Sequence, residues 1–337
     1  MDWAETLPVI WAGVAILAVV MYVLLDGFDL GVGILFPFAH SDEERDVMMN
    51  SVAPIWDGNE TWLVLGGAGL FGAFPLAYAT ILPATYLPLL LMLVALIFRG
   101  VAFEFRFKAR AGRRWWDRSF HYGALCATIA QGLVLGAFIQ GFAVEGRRFV
   151  GGPFDWLTPF SLMCAVALVA GYALLGATWL IWRTEGPLHT RCRAWAGPLF
   201  LAVLVFVGTV SIWTPLQEPQ IAERWFRGPL APYLPVVPLA TAALGLLFWW
   251  SLNAGRDALP FVLALGMFLI SFFGLGISLW PNAVPPDITI WEAAAPPESQ
   301  GFLLIGLAAL LPIVLGYTVF TYWVFRGKIR PGEGYGH

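Results

Sequence analysis

Nine apolar stretches, each about as long as a bilayer is thick, constrain the fold of this chain more than any other feature. A helix needs about 20 apolar residues to cross roughly 30 Å of hydrocarbon. By that measure the sequence predicts membrane spans near residues 8–36, 60–76, 78–104, 120–144, 158–183, 195–214, 232–252, 259–280 and 301–325. Helices are expected because lipid offers the backbone no other hydrogen-bond partners. The predicted fold class is therefore an all-α integral membrane protein.

Composition supports this class. Hydrophobic residues make up 59% of the chain and charged residues 12%, against roughly 45–50% and about 25% in soluble domains. The loops are short, so residues 1–337 are expected to form a single membrane-embedded domain. Only residues 76–78 separate the second predicted span from the third, and Pro75 and Pro83 break that region.

Several function classes find no support in the sequence. The net charge is −3 and no basic stretch lies in a soluble region, so no nucleic-acid partner is expected. There is no phosphate-binding loop, HExxH sequence or dinucleotide fingerprint. The four histidines lie near span ends or in loops, and the three cysteines are widely spaced. We therefore expect that this chain alone holds no catalytic residue, no metal and no haem.

The basic residues indicate an orientation. With nine spans, fifteen Lys and Arg residues lie at one set of span ends and four at the other. Basic residues favour the cytoplasmic side of a membrane. The N-terminus is therefore predicted to be periplasmic or external and the C-terminus cytoplasmic. The smaller, outer group consists of Arg147, Arg148, Arg224 and Arg227.

Two acidic residues lie inside the first predicted span. Asp26 and Asp29 are three apart, which places them on the same helix face. Gly27 and Gly31, four apart, form a surface that another helix can approach closely. A charge near the bilayer centre costs at least about 2.5–3.5 kcal/mol, so such acids need a partner, water or a function. The alternative is that both acids only cap or border the end of the helix.

A second acidic cluster lies where the chain re-enters the membrane at the basic side. Trp56, Asp57 and Glu60 fall within seven residues that also contain Asn59 and a second tryptophan. A short loop joins the first two spans, so both clusters are expected at one membrane level, where they would form a hydrated acidic mouth suited to proton uptake. Asp57 with Glu60 three residues later also fits a helix cap, and that alternative stays open.

Charged and polar residues of two later spans are further candidates. Arg99 and Glu104 lie at the basic end of the third span, five residues apart, so we do not expect them to pair with each other. Arg99 is a candidate charge partner for an aspartate on a neighbouring helix, or it extends to the interface. Gln131 and Gln140 in the fourth span are expected to join helices through hydrogen bonds.

Four segments resemble subunit II of the cytochrome bd-type quinol oxidases, and the short loops resemble the compact, cyanide-insensitive branch of that family. The match is most specific in the first hundred residues; later it rests on length and span pattern. The segments are DGFDLGVG (26–33), NSVAPIWDGNETWL (50–63), FPLAYA (74–79) and RGVAFEFR (99–106).

The resemblance implies a subunit of a terminal oxidase that oxidises quinol and reduces dioxygen to water. It implies a bacterial inner-membrane location and a nine-helix fold of two four-helix bundles plus one peripheral helix. Two haems b and one haem d would belong to the partner, subunit I. Further partners would be lipid and quinone, with a small single-helix accessory subunit.

The resemblance also associates Asp26 or Asp29 and Asp57, with Trp56 beside them, with a proton route from the cytoplasm. We add Glu60 to this route, and keep Arg99 and Glu104 as candidate charge partners. Two alternatives stay open: a secondary transporter whose acids couple ions to a substrate, and a structural membrane scaffold without a redox role.

The orientation makes a first prediction. A reporter protein that fluoresces only in the cytoplasm, fused after His337, should be bright, because the fifteen-to-four split of basic residues places the C-terminus inside. A phosphatase that is active only in the periplasm should be inactive at the same position. The reverse pattern would contradict the predicted topology.

Overall fold

A computed structural model gives the fold, and the structure describes residues 3–109, 111–330 and 332. Helices dominate it, as the sequence predicts. In chain order they are α1 (Trp3–Leu35), α2 (Asp42–Asn50), α3 (Trp56–Ala73), α4 (Pro75–Ala84), α5 (Tyr86–Lys108), α6 (Arg113–Gln140), α7 (Pro159–Arg183), α8 (Gly186–Gln217), α9 (Pro219–Phe226), α10 (Val236–Asn253), α11 (Leu259–Leu279), α12 (Ile290–Ala293) and α13 (Pro297–Val324).

In the part of the chain that the structure describes, the strands form two small antiparallel hairpins. One pairs β1 (Val144–Glu145) with β2 (Arg148–Phe149), and the other pairs β3 (Asn282–Val284) with β4 (Ile288–Thr289). Both lie in connections between long helices. A 3-10 turn, Phe36–Phe38, follows α1 directly.

Eight helices in the described ranges are long and apolar enough to cross a membrane: α1, α5, α6, α7, α8, α10, α11 and α13. This confirms the all-α membrane fold class. α3 has 18 residues, but its first five include Asp57, Asn59 and Glu60. Those polar residues account for its weaker apolar character.

α3 nevertheless runs antiparallel along most of α1. At its start, Asn59 hydrogen-bonds the carbonyl of Leu25. Further along, a Cβ on Gly66 would lie 3.7 Å from the methyl group of Ala18, and one on Gly69 would lie 3.9 Å from the Trp11 ring. α3 therefore corresponds to the predicted second span, residues 60–76.

The predicted third span, 78–104, is divided in the structure into α4 and α5. Phe74 is non-helical (φ −131°, ψ 62°), because a residue that precedes a proline is sterically kept out of the helical region. A second break falls at Thr85. Pro88 lacks the N–H that would bond the carbonyl of Ala84, and its ring would clash with that carbonyl. α4 packs against β2, β3 and α12.

The long helices pack mainly with their neighbours in sequence. α1, α3, α5 and α6 form one group, α10 and α11 pack closely in the second half, and α7 joins the halves by contacting α1, α6, α8 and α11. α13 packs on α1 and α3 from outside, and only Gln300 and Leu307 of this helix are buried. This arrangement agrees with the expected peripheral ninth helix.

Small residues allow the central helices to approach closely. A Cβ added to Gly31 of α1 would lie 1.8 Å from the carbonyl oxygen of Tyr172 on α7, and one on Gly176 would lie 2.3 Å from the backbone of Gly31. Gly132 of α6 is equally tight, at 2.4 Å from the Cα of Ala165. The seams between α1 and α7 and between α6 and α7 thus have no room for side chains.

The charged residues between helices collect at the membrane end where α1 and α5 end and α3 and α6 begin. We call it the basic end. Arg106, fully buried, bonds Asp46 of α2 and Asp117 of α6 at 2.5 Å each. Arg191 at the start of α8 pairs with Glu44 of α2. These pairs fix the α1–α3 connection against the rest of the fold.

The seam between α1 and α7 gives a second prediction. Gly31→Ala should push the helices apart and lower the stability of the protein by about 1–3 kcal/mol, the usual cost of overpacking. Gly13→Ala on the same helix is the matched control, since an added Cβ there meets nothing within 4 Å. Thermal unfolding of the purified protein would compare them, and equal midpoints would contradict the prediction.

Candidate functional site

An ion pair buried between α1 and α5 forms the centre of the candidate site. Nη2 of Arg99 lies 2.6 Å from Oδ1 of Asp26 and 4.0 Å from Oδ2 of Asp29, and all three side chains are 0% exposed. The spacing of three residues places both acids on the face of α1 that Arg99 approaches. The sequence left open whether Arg99 extends to the interface or meets an aspartate. In the structure it pairs with Asp26.

A glycine contact sets the position of Arg99. A Cβ on Gly123 of α6 would lie 2.7 Å from the carbonyl of Ala95 and 3.0 Å from the Cβ of Arg99. α6 therefore presses directly on the turn of α5 that carries the arginine. A larger residue at position 123 would move α5, and with it the guanidinium group.

Asp29 is held by two residues that the sequence analysis did not assign to the site. Nδ2 of Asn59 donates to Oδ2 of Asp29 at 2.7 Å, and the hydroxyl of Tyr322 donates to Oδ1 of Asn59 at 3.0 Å. Tyr322 belongs to α13, 263 residues away in sequence. No short-range pattern reveals such a contact. Asn59 was visible within its cluster, but nothing in its spacing showed that it faces an aspartate.

Part of the hydrogen-bonding capacity of these buried groups has no partner among the described residues. This holds for Oδ2 of Asp26, Oδ1 of Asp29, and Nε and Nη1 of Arg99. Buried polar atoms in native proteins normally have a partner, either protein or ordered water. These donor and acceptor atoms are therefore available for hydrogen bonds with a polar molecule such as water.

The residues of the second acidic cluster connect this centre to the basic end. Asp57 lies exposed in the first turn of α3, and Glu60, one turn further, is partly buried. Glu60 interacts electrostatically with Arg99 and Asp26 of the buried centre and with Asp57. The capping alternative for Asp57 is wrong: the N-cap of α3 is Ile55, and no side chain caps this helix.

Trp56 forms one wall of the cluster. Its indole stacks on Phe103 of α5 with ring centroids 4.9 Å apart, and the guanidinium carbon of Arg99 lies 6.0 Å from the Phe103 centroid. Gly100 leaves space for the indole, because a Cβ there would lie 3.3 Å from it. Trp56 thus packs beside the charged groups and carries no charge itself.

Glu104 stands apart from this group. It pairs with Lys108, one turn away on α5, at 3.0 Å, and both side chains are largely exposed. The structure therefore separates the two candidate charge partners, because Arg99 faces α1 and Glu104 faces outward.

A second group of hydrogen-bonded polar side chains begins at Tyr22, which lies one turn from Asp26 on the side away from the basic end. Nε2 of Gln131 donates to the hydroxyl of Tyr22 at 2.8 Å, and the hydroxyl of Tyr172 donates to Oε1 of Gln131 at 2.9 Å. This group joins α1, α6 and α7, as expected for Gln131. Gln140 accepts a hydrogen bond from Thr158 and so ties α6 to the start of α7.

Among the described residues, the side chains are not arranged to hold a metal ion. Nδ1 of His121 faces the carbonyl of Gly33, and Nε2 of His189 faces Asp257, both near helix ends. Within the described ranges no group of three or more His, Cys, Asp or Glu side chains is placed to hold a metal. The chemistry that this site offers is proton exchange and charge compensation.

Comparison with known proteins identifies the family. The family model described as "Cytochrome bd terminal oxidase subunit II" matches residues 7–325. The chain belongs to this family. Subunit 2 of the cytochrome bd-I ubiquinol oxidase of Escherichia coli (strain K12) is 30% identical to it over 365 residues, covering 96% of each chain. Subunit 2 of the Bacillus subtilis (strain 168) cytochrome bd ubiquinol oxidase is 31% identical, covering 94% of this chain and 96% of the relative.

The fold of this cytochrome bd subunit II agrees with a solved relative. The structure of the bd oxidase from Geobacillus thermodenitrificans superposes with a TM-score of 0.76 over 95% of this chain and 99% of the other, at 18% identity. At that identity the likeness concerns the fold. The family resemblance seen in the motifs is confirmed, whereas the transporter and scaffold alternatives find no support in these matches.

The buried ion pair gives a third prediction. Arg99→Gln should destabilise the protein by about 3–5 kcal/mol, because it leaves carboxylates buried without their counter-charge. Adding Asp26→Asn should recover a large part of that loss. Lys108→Gln on the same helix is the control, since an exposed pair contributes at most about 1 kcal/mol. Thermal unfolding of the purified protein measures all three, and equal losses for Arg99→Gln and Lys108→Gln would contradict the assignment.

Proposed function

We propose that this chain is the haem-free subunit of a bd-type terminal oxidase, a complex that oxidises quinol and reduces dioxygen to water. Its own contribution is a proton route that leads from the basic end to the acids around Arg99. Family membership supports the first part. The second part rests on one observation: partly buried Glu60 interacts electrostatically both with exposed Asp57 and with the buried pair of Arg99 and Asp26.

The redox groups belong to the partner in this proposal. Subunit I would hold two haems b and one haem d, which supply the electron transfer and the binding of dioxygen. The positions of His121 and His189 support this division, because both lie in the first third of their helices, α6 and α8, and not near the middle of a span. Membrane quinone and a small single-helix accessory subunit complete the proposed assembly in the bacterial inner membrane.

The basic end is the cytoplasmic end in this proposal. The fifteen basic residues assigned to the inner side support this orientation. Asp57, the exposed member of the acidic cluster, then faces the cytoplasm. Protons that are consumed at the haems would enter there.

Charge balance explains how the buried part of the route takes up a proton. Asp26, Asp29 and Glu60 surround one guanidinium group, that of Arg99. With all three acids ionised the cluster carries two excess negative charges, so an arriving proton reduces the buried charge. Charge is costly in hydrocarbon, which makes such uptake favourable. Asn59 and Tyr322 hold Asp29 in place but do not themselves need to change protonation.

The decisive experiment replaces Asp57 in the assembled oxidase. Asp57→Asn keeps the size and polarity of the side chain but removes the group that gains and loses a proton. Oxygen consumption with quinol should fall by about tenfold or more, since acid–base groups typically contribute factors of 10² or higher. Haem absorption should stay at the wild-type level, and Asp57→Glu should retain partial activity.

Glu104→Gln is the matched control, because Glu104 is an exposed acid at the same membrane end that does not contact the cluster. It should leave turnover unchanged. A fully assembled Asp57→Asn oxidase with wild-type oxygen consumption would contradict the proton route but leave the assignment as an oxidase subunit intact. Absence of haem d from a complex purified through this chain would contradict that assignment itself.

A further inference from the structure

A cavity of about 450 Å³ lies at the basic end, outside the site described above. The first turns of α6 form one wall, with Arg114, Arg118, His121 and Tyr122. The opposite wall is the turn after α1 and the start of α2. Its volume is within the range of roughly 300–1,000 Å³ that is typical of ligand pockets.

The cavity carries positive charge that the protein does not neutralise. Its two acids are both engaged, Asp42 with Arg45 at 2.8 Å and Asp117 with Arg106 at 2.5 Å. The hydrogen bond from Arg45 lowers the pKa of Asp42 below its usual value, so this pair is ionised at neutral pH. Arg114 and Arg118 remain, both exposed and without a carboxylate partner in the described part of the chain.

The lining residues follow one face of α6. Arg114, Arg118, His121 and Tyr122 have the spacing i, i+4, i+7 and i+8, which places them on one side of a helix. The same face continues towards the bilayer centre with partly exposed Leu125. Positive charge therefore lies at the membrane edge directly above apolar surface.

The individual groups suit a phosphate ester with an acyl chain. Two guanidinium groups can bond phosphate oxygens through several N–H donors. Arg118 is held near the cavity by the ring of Trp115, 5.1 Å from its guanidinium carbon. Tyr122 is 58% exposed, and an amphipathic ring of this kind favours the interface between water and lipid. Nδ1 of His121 is bound to the carbonyl of Gly33, which fixes that ring as part of the wall.

We propose that this cavity binds the headgroup phosphate of an anionic phospholipid, with its acyl chains lying along the α6 face below Tyr122. The apolar continuation of that face favours a lipid over a free phosphate ion. The two uncompensated arginines favour an anionic headgroup over a zwitterionic one. Basic pockets at the cytoplasmic edge of membrane helices are suited to such headgroups.

The test begins with the wild-type oxidase complex, delipidated in detergent and titrated with lipid, with bound lipid counted by native mass spectrometry. Phosphatidylglycerol should bind saturably and resist washing, whereas phosphatidylcholine of the same chain length should bind more weakly. Inorganic phosphate should not displace phosphatidylglycerol. Equal binding of the two lipids would overturn the anionic assignment, and displacement by phosphate would identify a site for soluble phosphate instead.

The variant arm uses Arg114→Gln with Arg118→Gln. One basic residue near an anionic surface is worth about fivefold in affinity, so this double variant should bind phosphatidylglycerol about thirtyfold more weakly. Haem content and oxygen consumption should not change, because neither arginine contacts the acid site. Arg114→Lys with Arg118→Lys should keep much of the affinity, since the charges remain.

Arg147→Gln with Arg148→Gln is the matched control. It removes the same charge from exposed residues of the β1–β2 hairpin, on the opposite side of the predicted topology. This control should bind phosphatidylglycerol like the wild type. Equal affinity of the Arg114/Arg118 double variant and the wild type would overturn the proposal. So would an equal loss in the Arg147/Arg148 control, because it would show only a non-specific effect of net charge.

Discussion

The ion pair between Arg99 and Asp26 is the interaction on which the arrangement of the first helices depends. Both side chains are completely buried and their atoms lie 2.6 Å apart. Neither charge is tolerable alone in hydrocarbon, so α1 and α5 are stable only in the register that joins them. The close approach of α6 at Gly123 then fixes the turn of α5 that carries Arg99. Packing and charge compensation thus support each other at one level of the bundle.

The same constraint explains why α13 matters although it is mostly exposed. Its Tyr322 bonds Asn59, which in turn holds Asp29, so the last helix of the chain contributes to the polar centre formed by the first. The backbone of Gln300 near the other end of α13 accepts a hydrogen bond from Trp11 of α1. These two polar contacts fix both ends of α13 against the bundle, in a helix whose other side chains are largely free for lipid or for another subunit.

Much of the fold could be predicted because a bilayer permits few solutions. Apolar runs gave the spans, and Pro75 already marked the break before α4, since its effect on Phe74 is local. Buried acids could be recognised because they are costly where they occur. Their partners were harder to predict: Arg99, 73 residues from Asp26, could be named only as a candidate, and Tyr322, 263 residues from Asn59, had no signal in the sequence. Capping looked plausible for Asp57 because the spacing fits, yet the helix begins at Trp56 and leaves that carboxylate exposed.

The charged groups at the basic end fall into two kinds with different physical roles. Glu44 with Arg191 and Asp257 with Lys328 and His189 form a frame outside the hydrocarbon. The hydrogen bond from Arg191 lowers the pKa of Glu44. Burial by itself would raise the pKa of Asp257, but the hydrogen bonds from Lys328 and His189 outweigh this effect, so the pKa is lowered overall. A lowered pKa means that each acid stabilises the fold above its usual pKa and loses this effect only as the pH falls through the lowered value. Glu44 and Asp257 therefore stay ionised at neutral pH. The cluster around Arg99 has more acids than bases and is sealed from water on most sides, so its charge can change while the frame that positions it does not.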